Sequence, residues 1–406
     1  MSREVPEGWQ ASPIPDLLQK ISKRIRKLQT RDYRDRGAIP IVDQGESIIC
    51  GYTDDVDNIC PVSLPVIVFG DHTRCFKFID FPFAVGADGT QLLKPTSGLD
   101  PQFFFYALSS LDLPSEGYSR HFRYLKEKSI LYPSLTEQRR IAEILSSVDK
   151  TIHATQAIIE QTRKVKQSVL KRLLTKGIGH TRFKQTEIGE IPEEWEVVSL
   201  ADLAENSRNS FVIGPFGSNL VMSDYRDEGV PVVFVRDLRP GQFRWKSNVF
   251  VTQEKATQLQ PHSVKSGDLV VTKMGLPPGI AALCPEDFPC GIVTADIIRL
   301  RPNRTKVDPA FLVELLNGDR ARKAVEEITG GQTRPKITLR DYKNVKVALP
   351  QTSEQRLIRE GIAPFQTCIE GQEEQLTVLE ALKKALMSDL LTGRKRVSDG
   401  FLMAAE

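Results

Sequence analysis

The sequence has no uninterrupted apolar run approaching 18 residues, so it offers no transmembrane helix. Its start, Met1-Ser-Arg-Glu-Val-Pro, lacks the apolar centre of a signal peptide. Six scattered cysteines with no paired Cys-x-x-Cys argue against a disulfide framework or a zinc ribbon. His72, Cys50, Cys60 and Cys75 have no regular ligand spacing, and Cys284 and Cys290 read as small buried thiols. A cytoplasmic chain with reduced thiols is the expectation. No GxxxxGK[ST] loop is present and no GxGxxG follows a strand, which argues against an ATPase or a dinucleotide enzyme. No adenine-methyltransferase loop of the [DNS]PP[YFW] type is found; Asp80-Phe-Pro-Phe83 and Leu276-Pro-Pro-Gly279 do not fit it. Only five histidines are available, and no Ser/His/Asp set emerges. Catalysis has no visible home.

Single-signed charge is also lacking: 55 Lys+Arg against 52 Asp+Glu leave a net +3 over 406 residues. Any interaction with a polyanion must come from local patches rather than bulk charge. The remaining composition, 40% hydrophobic and 26% charged, is that of a globular chain of two or three domains.

What the sequence does contain is a duplication. Pro133 to Thr175 matches Pro350 to Thr392 at a constant offset, with 11 of 43 positions identical. Pro133/Pro350, Glu137/Glu354, Gln138/Gln355, Arg139/Arg356, Ile141/Ile358 and Leu173-Leu-Thr175/Leu390-Leu-Thr392 are among them. Shorter pairs precede each block in the same order: Pro6-Glu-Gly-Trp9 with Pro192-Glu-Glu-Trp195, Ala87-Asp88 with Ala295-Asp296, Asp100-Pro with Asp308-Pro, and Gly117-Tyr-Ser-Arg120 with Gly331-Gln-Thr-Arg334. Each repeat reads as a globular domain followed by a long helical segment. The domains fall at 1–133 and 190–349, the helical segments at 134–178 and 350–395.

The helical segments carry an apolar stripe with spacings of three and four. The first runs through Ile141, Leu145, Val148, Ile152, Ile159, Val169 and Leu173, with Thr155, Thr162 and Lys166 filling gaps. The second runs through Ile358, Ile362, Phe365, Ile369, Leu376, Leu379, Leu386 and Leu390. One seam cannot be buried by a lone helix, so two in one chain predict mutual antiparallel packing. Thr136 and Ser353 are expected helix caps, and Pro364 is expected to end or kink the second helix near Gly361. The globular segments read as mixed α/β, with strands at Pro65–Phe69, Val230–Val235 and Asp268–Thr272, and no regular βαβ alternation.

Two groups of residues suit nucleic acid. Lys20, Lys23, Arg24, Arg26, Lys27, Arg31, Arg34 and Arg36 crowd one stretch and face only Asp32 and Asp35; they read equally as phosphate contacts or as a solvated helix face. The paired turns contribute Tyr118, Ser119, Arg120 and His121 in the first repeat, and Gln332, Thr333, Arg334 and Lys336 in the second. Arg and Gln side chains suit bidentate contacts to guanine and adenine edges. Arg236, Arg239, Arg244, Lys246 and Lys273 add charge to the second domain, with Phe243 and Trp245 interleaved.

The duplicated plan, with PEGW at 6–9, PEEW at 192–195, GPFGS at 214–218, P-x-x-[TS]-EQR-x-I at 133–141 and 350–358, and helices ending LLT, resembles the specificity subunits of type I restriction-modification systems. The resemblance covers essentially the whole chain. It implies an α+β fold: two pseudo-repeated α/β target recognition domains separated by two long helices packed as an antiparallel coiled coil. Each domain would read one half of a bipartite, asymmetric site in double-stranded DNA. The chain itself would be non-catalytic and bind no cofactor. Modification (M) subunits, two of them, would dock on the helices and bring S-adenosylmethionine and adenine-N6 methyl transfer. Restriction (R) subunits would bring ATP and magnesium. Ile141, Leu145, Ile152, Leu173, Ile358, Ile369, Leu386 and Leu390 mark the docking helices. The alternatives are a self-contained DNA-modifying enzyme and a tandem coiled-coil adaptor. The first domain is about 30 residues shorter than the second and has no GPFGS, so contacts cannot be carried from one to the other. A coil of about 28 residues would span roughly 42 Å, or about 12 base pairs, making helix length the expected ruler of the unread gap.

Overall fold

The computed structural model describes residues 5–22, 24–114, 120–275 and 277–397. The chain divides into two compact units, residues 1–158 with 372–406, and residues 159–371. The division cuts both long helices, so each unit holds one globular body with half of each helix. Among the described residues no helix is long and apolar enough to cross a membrane.

In the first unit, strand Gln10–Pro13 pairs antiparallel with Ser129–Tyr132. Strand Val66–Gly70 lies between Phe76–Ile79 and Thr90–Leu93, antiparallel to both. A second sheet pairs Ile39–Val42 parallel with Ala84–Gly86. Helix Pro101–Ser109 is capped by Asp100, whose carboxylate accepts from the Gln102 and Phe103 amides. It buries Phe103, Phe104 and Leu108 in the same core as Ile67, Phe69 and Ile130.

The second unit repeats this plan. Glu196–Ser199 pairs with Lys346–Leu349, Leu269–Thr272 lies between Ala281–Leu283 and Ile297–Leu300, and Val230–Val233 runs parallel to Gly291–Val293. Helix Pro309–Asn317 is capped by Asp308 through the Ala310 and Phe311 amides. A buried Arg299 ties the strands together, donating to the carbonyls of Ser263, Asn209 and Pro261. Burial pushes its guanidinium down to about 10, with Arg301 adding to the shift and Asp268 opposing it.

The first long helix runs unbroken over Leu135–Lys176 and the second over Thr352–Leu390. Ser134 Oγ, rather than Thr136, caps the first by accepting from the Glu137 amide. Pro364 lies inside the second helix and does not end it near Gly361, which corrects the expectation of a short helix followed by a longer one. Proline removes one backbone donor and costs about 3 kcal/mol in a helix interior. Burial of Ile358, Ile362 and Ile369 along the seam offsets this at about 1.5–3 kcal/mol per side chain.

Within each unit the two helices run side by side in opposite directions. In the first, Lys383 pairs with Asp149 and lies over the Tyr106 ring, while Arg396 pairs with Glu137. In the second, Lys166 bonds to Gln366 and Glu314, and Leu173 lies against Gly361. Lys166 and Lys383 are duplicated positions and so are their partners, so the same joint is built twice with the helices exchanging roles. Ile141, Leu145, Ile152, Ile358, Ile369 and Leu390 are buried and Leu173 and Leu386 half-buried, mostly in these seams.

The Glu-Gln pair of each repeat anchors the helix to its domain. The Gln138 carboxamide accepts from the Asp100 amide at 2.8 Å and donates to the Pro133 carbonyl at 2.9 Å. Gln355 accepts from the Asp308 amide at 2.8 Å and donates to the Pro350 carbonyl at 2.8 Å. Glu354 accepts from Trp195 Nε1 (2.9 Å), the Ile178 amide and His180. Glu137 accepts from Arg396 and the Val397 amide, with the Arg396 guanidinium 6.0 Å from the Trp9 ring. The Trp and EQR motifs are thus two halves of one joint in each unit. Replacing Gln138 or Gln355 with Ala orphans buried partners, and each is expected to lower unfolding stability by about 2 kcal/mol. Equal shifts in denaturant midpoint for the two variants, at unchanged slope, check it.

Candidate nucleic-acid interface

In the second unit Lys273, the 332–336 loop and Arg236 are brought together around the GPFGS segment. The Lys273 amide donates to the Asp296 carbonyl at 2.7 Å, and the Ile337 amide donates to the Lys273 carbonyl. Gly330 and Lys336 close the intervening loop by exchanging two backbone hydrogen bonds, and Met274 bridges to Lys336. This loop presents Gln332, Thr333, Arg334 and Lys336, all exposed, on a turn that places Gly331 at φ +90°. The Lys273 ammonium lies 4.7 Å above the ring of Phe216, the centre of the GPFGS segment and itself 55% exposed. Gly214 lets that segment approach: a Cβ there would overlap the Thr294 carbonyl. Arg236 is exposed and stacks 4.3 Å from the Phe234 ring.

Between these elements lies an open recess of about 380 Å³. Arg236 and Asp296 are its charged lining residues, beside Tyr225, Phe234 and Thr294. Burial pushes the Tyr225 hydroxyl up, keeping it a neutral donor. Phe243 and Trp245 take no part. Trp245 donates its Nε1 to the Val232 carbonyl and packs edge-on to Phe250 and Phe288, so both aromatics serve the core.

The first unit assembles differently. Tyr118 and Ser119, like Lys23, lie outside the described residues. Arg120 is exposed and close enough to Lys27 to help lower its pKa, after burial as the main cause, while Asp88 and Asp71 oppose the shift. Lys27 Nζ donates to the carbonyls of Asp88 and Thr90, both at 2.8 Å. Lys20, Arg24, Arg26, Arg31, Arg34 and Arg36 are all exposed, but on irregular chain and a short 3-10 turn rather than a helix.

His121 is a correction. It is 1% exposed, and its ring and amide nitrogens both engage the Asp71 carbonyl. The amide bond matches that from Ile337 to Lys273, so His121 stands where the second unit has a fully buried isoleucine. Arg120 therefore corresponds to Lys336, two residues from the alignment the sequence suggested. Anchor and display residues separate in stability: alanine at Arg236, Arg334 or Lys336 is expected to move it by no more than about 0.5 kcal/mol. His121→Ala is expected to cost about 2 kcal/mol. Thermal or urea unfolding of the four variants distinguishes them.

Among the described residues no group of His, Cys, Asp and Glu could hold a metal ion. The arrangement is one for contact: exposed guanidinium, ammonium and amide groups on loops held by a buried scaffold.

Comparison with known proteins agrees with this geometry. The family model "Type I restriction modification DNA specificity domain" matches twice, over residues 6–163 and 192–381. The type I restriction enzyme MjaVIII specificity subunit of Methanocaldococcus jannaschii is 29% identical over 313 residues, covering 74% of this chain and 72% of its own. The EcoBI specificity subunit of Escherichia coli is 25% identical over 277 residues, covering 63% of this chain and 57% of its own. The crystal structure of the type I S subunit from M. genitalium aligns with a TM-score of 0.59 at 17% identity, covering 96% and 97% of the two chains. A chain from a structural study of type I complex assembly and conformational transition aligns at 0.54 and 15% identity, covering 97% and 100%. With two matched domains spanning most of its length, the chain belongs to the type I restriction-modification DNA specificity family.

Proposed function

We propose that this chain is the sequence-reading subunit of a type I restriction-modification complex, with each unit contacting one half of a bipartite site in double-stranded DNA. The observation that carries the reading is the twice-built scaffold, each copy displaying exposed cationic residues on its loops. Lys20, Arg24, Arg26 and Arg120 in one unit, and Lys273, Arg236, Arg334 and Lys336 in the other, supply phosphate and base-edge contacts. The chain performs no chemistry. S-adenosylmethionine is held by modification subunits, and ATP and magnesium by restriction subunits.

The antiparallel helix pair is the proposed docking element, and duplication favours two modification subunits. The buried seam residues named from the sequence are spent on internal packing, so docking falls to the outward faces. These present Ile158, Val165, Val378 and Leu382, between 38% and 66% exposed; Val165 and Leu382 are duplicated positions.

Selection of randomised duplexes by the full chain with its modification subunits tests the reading. Two short conserved stretches separated by a constant unread gap are expected. No enrichment, or one contiguous motif, would overturn it. A matched seven-residue insertion in both long helices adds about 10 Å. It is expected to widen the gap by about three base pairs with both half-sequences retained, as read by mapping methylated adenines.

A further inference from the structure

Both units carry an aspartate in the turn that follows their parallel strand pair. In the first, strand Ala84–Gly86 pairs parallel with Ile39–Val42 through Val85 and Val42, and the chain then turns into strand Thr90–Leu93. In the second, Gly291–Val293 pairs parallel with Val230–Val233 through Val293 and Val233, then turns into Ile297–Leu300. Asp88 and Asp296 stand at the third residue beyond Val85 and Val293. The first turn is one residue longer, so counted back from the following strand Asp296 matches Gly89, whose carbonyl takes the Asp71 amide as that of Asp296 takes the Lys273 amide.

Each aspartate lies near a cation that does not bond to its carboxylate. Asp88 is exposed beside Lys27, whose ammonium takes the Asp88 carbonyl rather than its carboxylate. Asp296 lines the recess with Arg236, and the Lys273 amide takes its carbonyl. Among the described residues no side-chain hydrogen bond or ion pair engages the Asp296 carboxylate. On a surface that meets phosphates an acidic side chain is repelled and weakens binding. A carboxylate held there gains from DNA only at a base edge offering a hydrogen-bond donor. In the major groove that donor is an exocyclic amino group, cytosine N4 or adenine N6.

We propose that Asp88 and Asp296 are specificity-determining residues, each accepting a hydrogen bond from a base amino group in its unit's half-site. Cytosine suits a carboxylate better than adenine, because the N7 acceptor beside adenine N6 repels a second oxygen. The neighbouring cations supply affinity and the carboxylate supplies discrimination. The inference rests on the proposed DNA-reading function.

The test uses the full chain with its modification subunits, as wild type, Asp88→Ala and Asp296→Ala, in duplex selection at fixed salt. Each variant is expected to lose about tenfold discrimination at one base pair, in opposite half-sites, while other positions stay unchanged. Affinity for an unrelated duplex is expected to hold or rise severalfold, since a repulsive charge has gone. Asp296→Asn distinguishes the two amino sources. A carboxamide donates to N7 and accepts from N6, so a cytosine position shifts toward adenine, whereas an adenine position is kept or strengthened. Unchanged base preferences in both alanine variants, or a uniform loss across specific and unrelated duplexes, would overturn the inference. Failure of the wild-type chain to select any sequence would instead sink the DNA-reading function itself.

Discussion

The structure depends on an apolar seam that neither long helix can bury alone. An amphipathic helix of about forty residues with one stripe has no stable resting state in water. In each unit the stripe of one helix closes on the other, and the globular core grows from that junction: Ile141 and Leu145 share a cluster with Leu390 and Leu391 in the first unit, and Leu174 shares one with Ile358 in the second. Because the helices run in opposite directions, the end of one helix always meets the beginning of the other. That is why Glu137 receives Arg396 and Glu354 receives His180.

This arrangement explains the economy of the polar joints. A helix docked by apolar contact alone slides easily, since burial is non-directional. Gln138 and Gln355, almost wholly buried and each bonded to a helix-capping aspartate's amide, fix register and rotation. The cost of leaving such a group unpaired makes misregistered packing unfavourable. Rigid scaffolding beneath short exposed loops suits recognition, where placement of a side chain matters more than its mobility.

The duplication and the seams were legible in the amino-acid order because each is set locally, by period and spacing, whereas the expected caps Thr136 and Ser353 both fall inside their helices. Three further features were not legible. Pro364 obeys the tertiary seam rather than its own propensity. His121 sits beside an exposed arginine in a loop-like string, yet takes the position of Ile337 in the core, and only the Asp71 carbonyl reveals it. Arg299 alternates along a strand like any solvated cation, although three backbone carbonyls from two segments, at Asn209 and at 261–263, enclose it. Each depends on partners distant in sequence, which periodicity cannot register. Of the residues singled out as DNA contacts, Arg236 and the 332–334 turn are exposed and Lys273 is half-buried, whereas Trp245 and Phe243 resemble stacking platforms in sequence and are core in space.

The two interfaces differ where the two scaffolds agree. Strand pairing, helix caps and anchor joints recur, but the first unit has no counterpart of the GPFGS segment, and its cations come from a different stretch of chain. Copies held to one frame by buried joints are free to diverge only where the chain leaves that frame, in turns and loops exposed to solvent. A buried change is penalised by packing, while a loop change alters contact chemistry at little cost in stability. Two like scaffolds carrying unlike loop surfaces are the physical consequence, with divergence confined to what the solvent meets.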